Sequence, residues 1–71
     1  MVITKFHYVR LRKQMKEQRY TIKALAAKIG MDRGSLSDKL NSKVDFTQKD
    51  MISIATVLGI NLEEISNYFF E

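Results

Sequence analysis

The side chains able to do covalent chemistry are few and scattered. The chain has no cysteine and one histidine, His7, and no serine stands in a pattern with a base and a carboxylate. No glycine-rich phosphate loop and no cysteine–histidine set is present. Glu63 and Glu64 adjoin, but they open a helical segment, where the helix dipole favours negative charge without any catalytic role. The expectation is therefore a protein that is not an enzyme, with no metal, no cofactor and no small-molecule ligand. The chemistry these residues favour is non-covalent, and it is organised by position. Residues 1–43 carry eleven Lys/Arg against three acids, a net of +8; residues 44–71 carry one Lys against five acids, a net of −4. A basic half beside an acidic half suggests a surface for a polyanion and a second face with another task. Candidates to grip phosphate oxygens are Lys23, the amides opening the second helix, Ser35, Lys39, Asn41 and Lys43. Arg10, Arg12, Lys13 and Lys16 line the first helix, where one or two would reach a phosphate backbone.

Something must hold those groups in place, and the chain is short. Its 71 residues make one domain at most, and a domain of that size buries only roughly 60% of its unfolded surface. With no disulfide, packing or a partner must supply the core. No apolar run approaches the roughly 18 residues of a membrane span. The opening MVITKFHYVR lacks the pattern of a secretion signal, so a cytoplasmic location is expected. The absence of proline and the three glycines favour helices joined by short turns.

Five helices are expected. The first spans about 6–18, with Tyr8, Leu11 and Met15 on one face. The second opens on Thr21 as N-cap, buries Ile22, Leu25, Ala26 and Ile29, and stops at Gly30. The third is short. Asp32 caps it, and only Leu36 and Leu40 face inward. The fourth opens on a Thr47/Asp50 capping pair, buries Met51, Ile54, Ala55 and Leu58, and ends at Gly59. Asn61 caps the fifth, with Leu62, Ile65 and Phe69 inward. Residues 1–5 are expected to be a flexible or extended segment and 6–71 a single domain.

The stretch from Thr21 to Leu40, TIKALAAKIGMDRGSLSDKL, has the spacing of a helix-turn-helix, in which the second helix enters a DNA major groove. Ala26 is small where two helices must cross closely. Gly30 turns the chain. Met31 and Leu36 are apolar where the second helix must lean on the first. A generic three-helix bundle does not require these together with a polar outer face on the third helix.

At these residues the sequence resembles the phage-repressor (Cro/Xre-type) helix-turn-helix family. The resemblance covers about 8–66. It is carried by Thr21, Leu25, Ala26, Ile29, Gly30, Met31, Leu36, Ser37, Asn41 and Lys43, then by Ile54-Ala55-Thr56-Val57-Leu58-Gly59-Ile60. KLNSKVDFTQKDM and the closing NYFF look most like small Cro-like regulators of Gram-positive temperate phages or prophages. The resemblance implies an all-α, compact five-helix bundle of the lambda-repressor-like type, with the helix-turn-helix at about 21–41. It also implies a sequence-specific regulator, repressor or Cro-like, that binds double-stranded operator DNA. Arg33, Gly34, Ser37 and Asp38 match the family's base-contacting positions. Arg33 suits the guanine edge and Asp38 a cytosine amino group. The alternative for Arg33 is a phosphate contact or a solvated surface charge, and for Asp38 a pairing with Arg33 or Lys39.

Three departures from the pattern stand out. Ile22 occupies a position where the family often has a phosphate-anchoring glutamine. Ser42 replaces a turn glycine. Met15 and Leu40 stand where many members have a buried arginine–glutamate pair, an exchange that packing tolerates when both partners change together.

The chain closes on Tyr68, Phe69 and Phe70, more aromatic surface than one small core can take from three consecutive residues. These three are the expected interface of a weak homodimer on a near-palindromic operator. Two other functions fit the same pattern. One is an antitoxin that binds a toxin through the acidic half. The other is a protein–protein adaptor without DNA binding.

Overall fold

The computed structural model describes residues 6–70. The expected N-terminal segment at 1–5 lies outside the described residues. Among the described residues five helices run in order: α1 (Val9–Glu17), α2 (Ile22–Ile29), α3 (Arg33–Leu40), α4 (Gln48–Leu58) and α5 (Ile65–Phe69). A 3-10 turn, Leu62–Glu64, leads into α5. The fold is the expected small all-α bundle. Among the described residues no helix is long and apolar enough to cross a membrane.

Local chemistry sets most helix ends. The Thr21 hydroxyl accepts the Ala24 amide at 3.0 Å and opens α2. Gly30 ends α2 at φ 71°, the left-handed conformation glycine adopts without steric cost, and the Met31 amide then donates to the Ala26 carbonyl at 2.9 Å. Asp32 opens α3 by accepting the amides of Gly34 and Ser35 at 2.9 and 3.3 Å. Thr47 and Asp50 cap α4 reciprocally: the Asp50 carboxylate accepts the Thr47 amide at 3.0 Å, and the Thr47 hydroxyl accepts the Asp50 amide at 3.1 Å.

The core gathers Leu11 and Met15 from α1, Leu25 and Ala26 from α2, and Leu36 and Leu40 from α3. Ile54, Ala55 and Leu58 of α4 complete it, with Ile60 and Phe69 behind them. Met15 and Leu40 thus join one buried cluster, as an apolar replacement for an ion pair requires. α2 packs on both α3 and α4, and the small Ala26 is buried on it. A row of rings closes one end. Phe46 meets Tyr8 and Phe69 edge-on at 5.1 and 5.2 Å, while Phe6 meets Phe70 at 5.6 Å.

Three details differ from the expectations. α1 begins at Val9 instead of about Phe6, because Tyr8 adopts φ 53° while its ring is buried against Phe46. That backbone conformation costs a non-glycine residue about 1–2 kcal/mol, which burial of the ring offsets. The last helix starts with a 3-10 turn, and the Asn61 side chain caps nothing. Leu62 therefore points outward, 62% exposed, instead of into the core. A 3-10 turn advances about 120° per residue against about 100° for an α-helix, which rotates Leu62 off the stripe.

Candidate nucleic-acid interface

α3 is held by very little of its own surface. Leu36 and Leu40 are buried; Arg33, Gly34 and Ser35 are exposed; Ser37, Asp38 and Lys39 are half-buried. The four residues expected at base edges, Arg33, Gly34, Ser37 and Asp38, thus share one short helix with a polar outer face. Gly34 has a local reason to be glycine. A Cβ there would stand 3.0 Å from the capping Asp32 carboxylate oxygen. Its amide and that of Ser35 are already bound to that carboxylate. In α2, by contrast, the cap takes the Ala24 amide, and the first two amides, of Ile22 and Lys23, have no intrahelical acceptor. Lys23 is exposed beside them.

The far end of α3 is braced from two sides, and neither brace leaves a local signal in the residue pattern. From α1, an Arg12 Nη2 donates to the Leu40 carbonyl at 2.8 Å and to Asn41 Oδ1 at 3.1 Å. These bonds span 28 and 29 residues. Arg12 thereby satisfies a carbonyl of the last turn and brings its charge to the negative end of the helix dipole. The Asn41 amide group in turn donates to Ser37 Oγ at 3.4 Å, linking a candidate base reader to the brace. From α4, Asp50 forms an ion pair with Lys39, whose side chains are only 16% and 14% exposed respectively. Burial raises the Asp50 carboxyl pKa, but hydrogen bonds from Lys39 and from the backbone and side chain of Thr47 outweigh it, leaving the net value below the ordinary one.

Lys39 is therefore placed differently from the other expected phosphate ligands. Its ammonium is drawn onto α4, and a phosphate contact would require it to leave Asp50. Lys23, Ser35, Asn41 and Lys43 are exposed, as a phosphate ligand must be. The Lys43 amide donates to the Asp38 carbonyl at 2.9 Å, which folds the loop back under α3. Ser42 takes φ 61° in place of the glycine, and its hydroxyl donates to the Phe6 carbonyl. The serine thus fills the turn and ties it to the segment entering α1.

The closing aromatics do not form one surface. Phe69 is 1% exposed and belongs to the core, so it is corrected from the interface expected of it. Phe70 is 52% exposed, yet its ring lies edge-on against Phe6. Tyr68 is half-buried beside Arg10, Lys13, Gln14 and Glu17. Consecutive helical residues differ by about 100° in direction, so the three rings part company.

These features define a small helical bundle that carries two capped helices across a tight glycine turn, with a polar face on the second. The chain belongs to the DUF739 family, described as a protein family of unknown function, whose model matches residues 4–71. No curated protein sequence matches it.

Proposed function

We propose that the protein is a sequence-specific, double-stranded DNA-binding transcriptional regulator of the cytoplasm, repressor or Cro-like, and that α2 and α3 are its helix-turn-helix. The observation that carries this reading is the exposed polar face of α3. The helix gives the core only Leu36 and Leu40, yet its last turn is braced by Arg12 and by the Lys39–Asp50 pair. A merely structural helix would not need a firmly oriented outer face. The resemblance of about residues 8–66 to the Cro/Xre-type family supports the same assignment.

In this reading α3 lies in the major groove. Arg33 donates to a guanine edge, and Ser37 and Asp38 address neighbouring bases. Gly34 keeps the helix surface low where it meets the groove. The free amides opening α2, with Lys23, meet one phosphate; Ser35, Asn41 and Lys43 meet others and fix the register. One short helix contacts too few bases to select a genomic site. Two copies related by a two-fold axis would set their α3 helices about 34 Å apart, one duplex turn, over a near-palindrome.

Selection of bound duplexes from a random pool, followed by a salt titration, tests the proposal. The enriched sequences should contain an inverted repeat with half-sites about one helical turn apart. Log K should fall with log salt at about −0.9 per phosphate neutralised, with roughly four to six phosphates per chain. No enrichment, or a flat titration, overturns the reading.

A further inference from the structure

The paired arrangement needs a surface that joins the copies, and the closing aromatics, with Phe69 in the core, do not form one continuous patch. A different face does. Gln48, Met51, Ile52, Leu62 and Ile65 line an open groove of about 300 Å³ between α4 and the 3-10 turn. Ile52 and Leu62 are 42% and 62% exposed, two of the five large apolar side chains left most open to solvent. They are the two of that set that share one groove.

We infer that this groove docks a second copy of the chain across a two-fold axis; the inference rests on the proposed paired DNA binding and names its missing contact. A two-fold interface must be complementary to itself, because the same patch faces its own copy. This patch meets that condition. Its centre is apolar. On the α4 side stands Lys49, one turn before Ile52; on the other side Glu63 and Glu64 follow Leu62 directly. Antiparallel apposition places the lysine rim of each copy on the glutamate rim of the other, twice over. All three charged side chains are exposed, and among the described residues none of them forms an ion pair. Lys49 is also the one cation in residues 44–71. Within its own chain it forms no ion pair among the described residues, and with a second copy it would meet two carboxylates.

The same charges argue against nucleic acid as the occupant, since Glu63 and Glu64 would repel phosphates. The location suits the role as well. Asp50, on the α4 turn that carries Gln48 and Met51, is the residue bound to Lys39 of α3. Docking at α4 is therefore joined by one ion pair to the helix whose spacing the dimer must set. The patch is small, at the weak end of interface sizes, roughly 1,200 Å² or less in total. Association in free solution is correspondingly weak, and two half-sites on one duplex strengthen it by raising the effective concentration.

The test uses the full chain without DNA, in sedimentation equilibrium up to millimolar concentration. The unaltered chain should show a reversible monomer–dimer equilibrium. Leu62→Glu should raise its dissociation constant by about tenfold or more, as loss of a central apolar anchor does. Circular dichroism should show unchanged helix content, because Leu62 is outside the core. Two further variants keep the test independent of that one residue. Lys49→Glu in one chain and Glu63→Lys with Glu64→Lys in another should each dimerise poorly alone, yet pair preferentially when mixed. A chain that stays monomeric to millimolar, a dimer indifferent to Leu62→Glu, or no preferential pairing of the charge variants each overturns the inference, and would give the groove to another kind of partner. Binding to a single half-site, measured separately, isolates the underlying reading. Leu62→Glu should keep half-site affinity and lose the gain on two half-sites. If no duplex is bound by any variant, DNA binding fails while the pairing result still decides the docking face.

Discussion

α2 and α4 are built alike at both ends, but they lead into different structures. Thr21 and Thr47 have nearly the same backbone, φ −81° with ψ 165° and 164°, and Gly30 and Gly59 both sit at φ 71°. After each glycine comes an apolar residue, Met31 or Ile60, and then a short polar one, Asp32 or Asn61. Asp32 accepts two amides, and α3 is α-helical from its first residue. The Asn61 side chain accepts none, only its carbonyl taking the Glu64 amide, and a 3-10 turn precedes a five-residue α5. A carboxylate brings two acceptor oxygens and a negative charge to the positive end of a helix, so it nucleates a regular first turn better than an uncommitted amide. The outcomes differ in use. The first pair presents a polar face on a helix fixed by Arg12 and Lys39. The second inserts Phe69 among the rings of Tyr8 and Phe46 and closes the bundle. One pair of helices leaves a braced polar face exposed, and the other closes the core.

The largest effects should come from breaking the core contribution of each pair. Leu40→Glu, an unpaired charge at a buried site of α3, should destabilise the fold by roughly 3–5 kcal/mol. Phe69→Ala should cost a similar roughly 3–5 kcal/mol. Phe70→Ala should cost about 1 kcal/mol or less, because half of that ring already faces water. Urea denaturation measures all three; equal losses at 69 and 70 would mean that α5 does not plug the core.

Next in size is the polar face. Arg33→Ala should weaken selected DNA by about 1–3 kcal/mol and relax preference at one base position. Its effect on folding stability should stay within about 0.5 kcal/mol. Lys43→Ala should instead weaken all sequences alike. The reverse pattern, measured on a panel of single-base operator variants, would exchange the reader and the clamp.

The caps sharpen the comparison at about 1 kcal/mol. Asp32→Ala should lose about that much stability, within a range of roughly 0.5–2 kcal/mol. Asn61→Ala should change the melting temperature scarcely at all, since its side chain caps nothing. Equal shifts in thermal melts would remove the distinction between the two turns.

The smallest effect is electrostatic. The folded Asp50 pKa lies below the unfolded one, so its charge contributes stability above the ordinary aspartate value of about 4, and that contribution fades as pH falls through the folded value. The melting-temperature gap between the unaltered chain and Asp50→Asn should therefore be steady at neutral pH and shrink on acidification. A gap that widened in acid would contradict the Lys39 pairing.

By itself the sequence determined what lies within reach of four or five residues. The caps at Thr21, Asp32 and Thr47, the glycine ends of α2 and α4, and the Leu36–Leu40 edge of α3 are all local, because capping bonds and helical periodicity join near neighbours. The set Arg33, Gly34, Ser37 and Asp38 could be placed on one short helix for the same reason. Tertiary structure decided the rest. Phe46 stands in no periodic segment, so nothing local marked it as the ring between Tyr8 and Phe69. Helical spacing placed Phe69 inward, as it is, but the directions of Leu62 and Phe70 depended on where a 3-10 turn gave way to α-helix, which the residue pattern does not reveal. Arg12 and Lys39 look like any other exposed helical cations until the bundle brings Leu40 and Asp50 to them. Side chains far apart in sequence meet only through the packing of whole helices, and that packing distinguishes a cation left in solvent from one used to hold a helix in place.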